Sequence, residues 1–100
     1  MKTESFGPVL RVSGLAELSA PSSPAVQFTI HSALRDEHQS VEIDSSTLRF
    51  VDCAGLRALV SLHRSLQSRK GSIRIVQPTD NFLRLLKYTQ LHHQFEIISN

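Results

Sequence analysis

The 100 residues contain one cysteine, Cys53, one tyrosine and no tryptophan. A lone thiol cannot close an internal disulfide, which fits a reducing compartment and makes a cytoplasmic location the expectation. No apolar run approaches the roughly 20 residues that a membrane span needs. The polar opening Met1-Lys2-Thr3-Glu4-Ser5 lacks a signal-peptide core, so no direct membrane insertion is expected. Metal chemistry also lacks its pattern. Of five histidines, His92 and His93 are adjacent and His63 lies on the apolar side of a helical stretch. None forms an i, i+4 pair with an acidic helper. There is no Gly-rich phosphate loop, no paired general acid and base, and no nucleophile–His spacing. The expectation is a chain without metal, cofactor or catalytic activity.

What is present is an ordinary globular composition, 40% hydrophobic and 20% charged. The length suits one small domain over residues 1–100. A net charge of +2 hides an asymmetry. Residues 1–52 hold four Lys/Arg and seven Asp/Glu, giving −3. Residues 53–100 hold Arg57, Arg64, Arg69, Lys70, Arg74, Arg84 and Lys87 against Asp80 and Glu96, giving +5. Solvated helix faces explain this most simply; a basic face for an acidic partner is the functional alternative. Nucleic acid is not expected as a partner. The cations have almost no interleaved exposed aromatics, and no reading motif accompanies them.

Along the chain, Lys2–Ser5 and Val9–Val12 are short extended candidates around the turn Phe6-Gly7-Pro8. Leu15–Pro21 reads as irregular. Ser22-Ser23-Pro24 reads as a helix start, with a Ser cap and Pro at the first helical position. Val26, Ile30, Ala33 and Leu34 follow at helical spacing, and Arg35–Ser40 is a charged surface connection. Val41–Asp44 alternates as a strand does. Ser45-Ser46-Thr47 turns the chain, and Leu48–Val51 is extended again. A second helix then places Leu56, Leu59, Val60, His63 and Leu66 on one face, with Arg57, Ser61, Arg64, Gln67 and Ser68 opposite. It should end at Lys70-Gly71, with Gly at the C-terminal cap. Ser72–Val76 is β-like, and Gln77-Pro78-Thr79-Asp80 caps a third helix with Phe82, Leu85, Leu86 and Thr89 on one face. Phe95–Ile98 is a last strand. Such alternation argues for helices packed on a mostly parallel sheet.

The organising stretch is Thr47–Leu56, where an extended piece ends in Asp52-Cys53-Ala54-Gly55 and a helix begins at once. A helix start carries unpaired N–H groups and a positive dipole end, suited to an anion, a modification or a partner contact. Asp52 can cap that helix, and Gly55 permits close backbone approach. Cys53 could be activated by the dipole, but Asp52 beside it opposes thiolate formation, and a small packing residue is the simpler reading.

These residues resemble the STAS domain, the family of sulfate transporters and anti-sigma-factor antagonists. Its signature is a strand ending in Asp-Ser-Ser-Gly-Leu or Asp-Ser-Thr-Gly-Leu, and Asp52-Cys53-Ala54-Gly55-Leu56 takes that place. Flanking matches are Val12-Ser13-Gly14, Val41-Glu42-Ile43-Asp44-Ser45, Arg69-Lys70-Gly71, Leu85-Leu86, Leu91 and Phe95-Glu96-Ile97. The resemblance implies a single α/β STAS domain, with a mixed, mostly parallel sheet of four or five strands and helices mainly on one face. It also implies no catalytic activity of the domain itself.

Free-standing members of this length look like anti-sigma-factor antagonists. In those, a kinase that is also the anti-sigma factor phosphorylates the second hydroxyl residue of the signature. The unphosphorylated form binds that kinase. Here the acceptor position corresponds to Ala54, which has no hydroxyl. The resemblance therefore implies a kinase-type anti-sigma factor as partner and a chain locked in the unphosphorylated-like state. The expected docking residues are Asp52, Cys53, Ala54, Gly55, Leu56, Arg57 and Ser61, with Ser45, Ser46 and Thr47 at the rim. Asp44-Ser45-Ser46 itself resembles the signature, but it is followed by Thr47-Leu48 and reads as a turn. The alternatives are a cytoplasmic accessory subunit of a phospholipid-transporting ABC complex, with its ATPase or permease as partner, or a scaffold module in a bacterial signalling assembly.

Overall fold

Every second residue of three short segments is apolar and goes inward: Leu10 and Val12, Val41 and Ile43, Ile73 and Ile75. Period-two alternation of this kind gives each segment one core face and one outer face. The computed structural model describes residues 1–99. In order, these form β1 (Lys2–Phe6), β2 (Val9–Ser13), β3 (Glu17–Leu18), α1 (Ser23–Ala33), β4 (Ser40–Asp44) and β5 (Phe50–Val51). There follow α2 (Cys53–Gln67), β6 (Ile73–Val76), α3 (Asp80–Tyr88), a 3-10 turn at Leu91–His93, and β7 (Glu96–Ile98).

Five strands form one sheet in the order β1-β2-β4-β6-β7, antiparallel between β1 and β2 and parallel elsewhere. The order advances in one direction, so right-handed crossovers set α1, α2 and α3 on the same face. This is the expected mixed, mostly parallel α/β architecture. Leu59, Leu62 and Leu66 of α2, Ile30 of α1, and Phe82 and Leu86 of α3 complete the core over the sheet. The other face carries a row of alternating charge across all five strands, because register pairs Glu4 with Arg11, Arg11 with Glu42, Glu42 with Arg74 and Arg74 with Glu96. Arg11 meets Glu42 at 2.9 Å and Arg74 meets Glu96 at 3.0 Å. Half-exposed pairs of this kind add little stability, but they keep an uncovered sheet face soluble.

Several local expectations are corrected. Leu48–Val51, expected to be extended, is a strand only in part and lies outside the main sheet. Only Phe50–Val51 is paired, and its partner is Glu17–Leu18, inside the segment expected to be irregular. Pro24 is the second residue of α1, and Ser22 makes no cap bond; its Oγ instead accepts from the Ser19 amide at 2.9 Å. The buried stripe of α2 is Gly55, Leu56, Ala58, Leu59, Leu62 and Leu66, with Val60 and His63 only half-buried. Packing against α1, where Gln27 Nε2 donates to the Ala58 carbonyl at 3.4 Å, rotates the inward face toward Ala58 and Leu62. Thr89 is exposed.

The end of α2 also differs. Lys70, not Gly71, takes the left-handed conformation, with φ of 57°. Gly71 is needed for space, because a Cβ there would overlap the Gln39 carbonyl oxygen. The connection 35–39 is held, rather than loosely solvated. Arg69 Nη1 donates to the Arg35 and His38 carbonyls at 2.9 and 3.0 Å. His38 is buried, accepting at Nδ1 from the Arg35 amide and pairing through Nε2 with Ser5 Oγ at 2.7 Å.

Candidate functional site

The short β3–β5 ladder exists to deliver Asp52 to the start of α2. Leu48 is a buried anchor. Beyond it the Arg49 amide donates to the Ala16 carbonyl at 2.8 Å, and the Asp52 amide donates to that of Leu18 at 3.1 Å. Asp52 is the last extended residue, with φ −127° and ψ −178°. Its Oδ1 accepts from the Gly55 amide at 2.9 Å and its Oδ2 from the Ala20 amide at 3.2 Å. The Gly55 N–H above all holds this carboxyl below its ordinary value of 3.8, with the Ala20 and Ala54 amides adding to the effect. Gly55 is required here, because a Cβ would overlap the Leu18 carbonyl oxygen.

This geometry narrows what the junction can do. Of the first-turn N–H groups that could cradle an external anion, that of Gly55 already holds a carboxylate of the chain. An incoming phosphate would meet that fixed negative charge at the helix start. Cys53 is exposed, and Ala54 is half-exposed beside it. The first turn of α2 thus presents a small, neutral surface with a carboxylate at its edge.

From that turn a groove of about 810 Å³ runs along the outer side of α2. Cys53, Arg57, Ser61 and Arg64 form one wall, and Thr89 and Leu91 the other, with Leu56 and Val60 at the floor. Among the described residues Arg57 and Arg64 have no side-chain hydrogen bond or ion pair, unlike Arg11, Arg69 and Arg74.

The expected docking residues separate into two groups. Cys53 and Ala54, with Arg57 and Ser61, lie on the accessible side of α2. Gly55 and Leu56 are buried and support that surface from behind. Ser45 cannot form an accessible rim, because it is buried and its Oγ donates to the Val76 carbonyl at 3.0 Å. Ser46 and Thr47 are exposed. Ser46 Oγ donates to Asp44 Oδ1 at 2.7 Å, and Thr47 Oγ1 to the Leu15 carbonyl at 3.1 Å. None of Ser45, Ser46 or Thr47 lines the α2 groove.

Sequence reasoning missed Val60, Arg64, Thr89 and Leu91 as lining residues. The spacing of 57, 61 and 64 pointed to one helix face, but nothing local tells that the 89–91 segment closes it. Among the described residues, no group of three or more His, Cys, Asp and Glu is placed to hold a metal. The His63 ring sits edge-on to Phe95 at 5.5 Å, and the His92 and His93 rings lie 3.9 Å apart. No described helix is long and apolar enough to cross a membrane.

A family described as "Mlab, STAS domain" matches residues 2–99. No curated protein matches the chain. Among solved structures, the chain is similar to a Thermotoga maritima protein described as an anti-sigma factor antagonist. The TM-score is 0.88 at 17% identity, over 99% of this chain and 85% of that one. An anti-sigma factor antagonist from Mycobacterium paratuberculosis gives 0.83 at 24% identity, over 97% and 82%. The murine Solute Carrier 26 family member A9 anion transporter contains the same fold, with a TM-score of 0.81 at 14% identity, over 97% of this chain and 17% of the transporter.

Proposed function

Because the chain belongs to the STAS family, we propose that it is a non-enzymatic protein-interaction module of the anti-sigma-factor-antagonist type, which docks a kinase-type anti-sigma factor. The observation that carries this reading is the capped helix start: Asp52 Oδ1 accepts from the Gly55 amide, and Cys53 and Ala54 present a small neutral surface there. The contact is made by Asp52, Cys53 and Ala54, and continues along α2 through Arg57 and Ser61. Gly55 and Leu56 hold its shape, and Ser46 and Thr47, which do not line the α2 groove, are at most an outer margin of the contact.

Ala54 stands where related antagonists accept phosphate. A phosphate brings about −1.5 to −2 charges, and here they would fall beside the Asp52 carboxylate on the face the partner covers. The resulting repulsion and desolvation cost is how such a switch would release a partner. With Ala54 the switch is fixed in its binding state. Incubating the chain with the anti-sigma kinase and ATP tests this. Wild type takes up no phosphate on α2 and stays bound, while Ala54→Ser gains an acceptor and is released. Phosphate on Ser46 or Thr47 of wild type, with loss of the partner, would contradict the proposal.

A second reading is favoured by the family's own description, which names Mlab and not an antagonist. In it the same α2 surface docks the ATPase or permease of a phospholipid-transporting ABC complex. Recovery of an ABC ATPase from the native host, without any kinase-like protein, would select it.

A further inference from the structure

We propose that α3 and β5 form a second docking surface, which takes an acidic segment of a partner protein with an apolar or aromatic anchor seated between Phe50 and Tyr88. Helix α3 has two faces in use. Phe82 and Leu86 enter the core, whereas Asn81, Arg84, Leu85 and Tyr88, at i, i+3, i+4 and i+7, line a separate groove. Its opposite wall is Arg49, Phe50 and Val51, and its volume is about 420 Å³, within the range of binding clefts.

Two observations say what it fits. First, Phe50 is 54% exposed and Tyr88 86% exposed, although both are large rings facing one groove. Aromatic and arginine side chains are the types that dominate interface energetics. Second, no carboxylate lines the groove, and among the described residues Arg49 and Arg84 have no hydrogen-bonding or ionic side-chain partner. The sheet's open face shows the contrast, since its arginines are neutralised within the chain. An acidic segment supplies what Arg49 and Arg84 lack. Single-stranded nucleic acid fits less well: two cations match few phosphates, whereas nucleic-acid grooves track several nucleotides. The surface shares no lining residue with the α2 groove, so its occupancy does not depend on the anti-sigma reading.

A displayed library of random peptides of about twelve residues, selected on the folded chain and counter-selected on Arg49→Glu/Arg84→Glu, tests the proposal. The expected survivors carry Asp or Glu flanking an aromatic or aliphatic residue. By fluorescence anisotropy their affinity falls about tenfold or more with Tyr88→Ala or Arg49→Glu/Arg84→Glu. It changes less than about twofold with Arg57→Glu/Arg64→Glu. Thermal melts confirm that these surface variants fold. The proposal is overturned if no peptide survives counter-selection, if the survivors lack acidic residues, or if Arg49→Glu/Arg84→Glu binds them as well as wild type. Tighter, Arg49- and Arg84-dependent binding of an oligothymidine of about 15 nucleotides would overturn it in favour of nucleic acid.

Discussion

Asp44 and Asp52 each close a strand and precede two small residues, yet one carboxylate folds a turn and the other starts a helix. Asp44 Oδ1 accepts from the Ser46 amide and hydroxyl at 3.1 and 2.7 Å, and the Leu48 amide then closes back on the Ser45 carbonyl at 3.1 Å. Asp52 Oδ1 accepts from the amide three residues on, and the helix follows. What comes next decides between them. Leu48 must turn inward to anchor β5, whereas Gly55 lets the chain pass under the Leu18 carbonyl and continue into α2. The hydroxyl-rich triplet spends its oxygens inside the molecule. In the hydroxyl-free one Gly55 is buried while Cys53 and Ala54 face outward, and the proposed interaction surface is placed on those two.

The comparison breaks most readily at Gly55. Gly55→Ala should cost about 3 kcal/mol in urea unfolding, since overlap with Leu18 outweighs a helix-propensity gain near 1 kcal/mol. Thr47→Gly, at the matching place after Asp44, should cost far less. Next, Asp52→Ala should lower the thermal midpoint by roughly 5 °C through loss of the cap.

Acid sharpens the pair further. Both carboxyls titrate below their ordinary 3.8, Asp44 chiefly through the Ser46 hydroxyl and Asp52 chiefly through the Gly55 amide. Their contribution to stability is complete above the unfolded value and is lost as pH falls through the lower folded ones. Asp44→Asn/Asp52→Asn should therefore flatten the midpoint's fall as pH drops below about 4. The smallest effect is Ser46→Ala. It should raise the Asp44 value in a carboxyl NMR titration and leave Asp52 unmoved, with a stability change of a few tenths of a kcal/mol.

Much of this was legible in the sequence because it is written locally. Leu10 and Val12, Val41 and Ile43, and Ile73 and Ile75 alternate as strands do, and Thr79 and Asp52 announce helix starts that their side chains cap. What could not be read depends on distant partners. Glu17–Leu18 is a strand only because Phe50–Val51, some thirty residues away, pairs with it. Gly71 looked like a left-handed cap, but the Gln39 carbonyl explains it. Ser45 looked available until Val76 accepted its hydroxyl. Both grooves join residues of different elements, and the α3 groove brings exposed Phe50 and Tyr88 beside arginines that looked unaccompanied in the sequence.

Affinity capture from the native host with wild type and Ala54→Glu, the bound proteins identified by mass spectrometry, is the most direct measurement. Wild type should recover a kinase-type anti-sigma factor equally with and without ATP, and Ala54→Glu, carrying a charge on the first turn of α2, should lose it by about tenfold or more. Equal recovery by both chains would contradict docking at Ala54, as would ATP-dependent release of wild type.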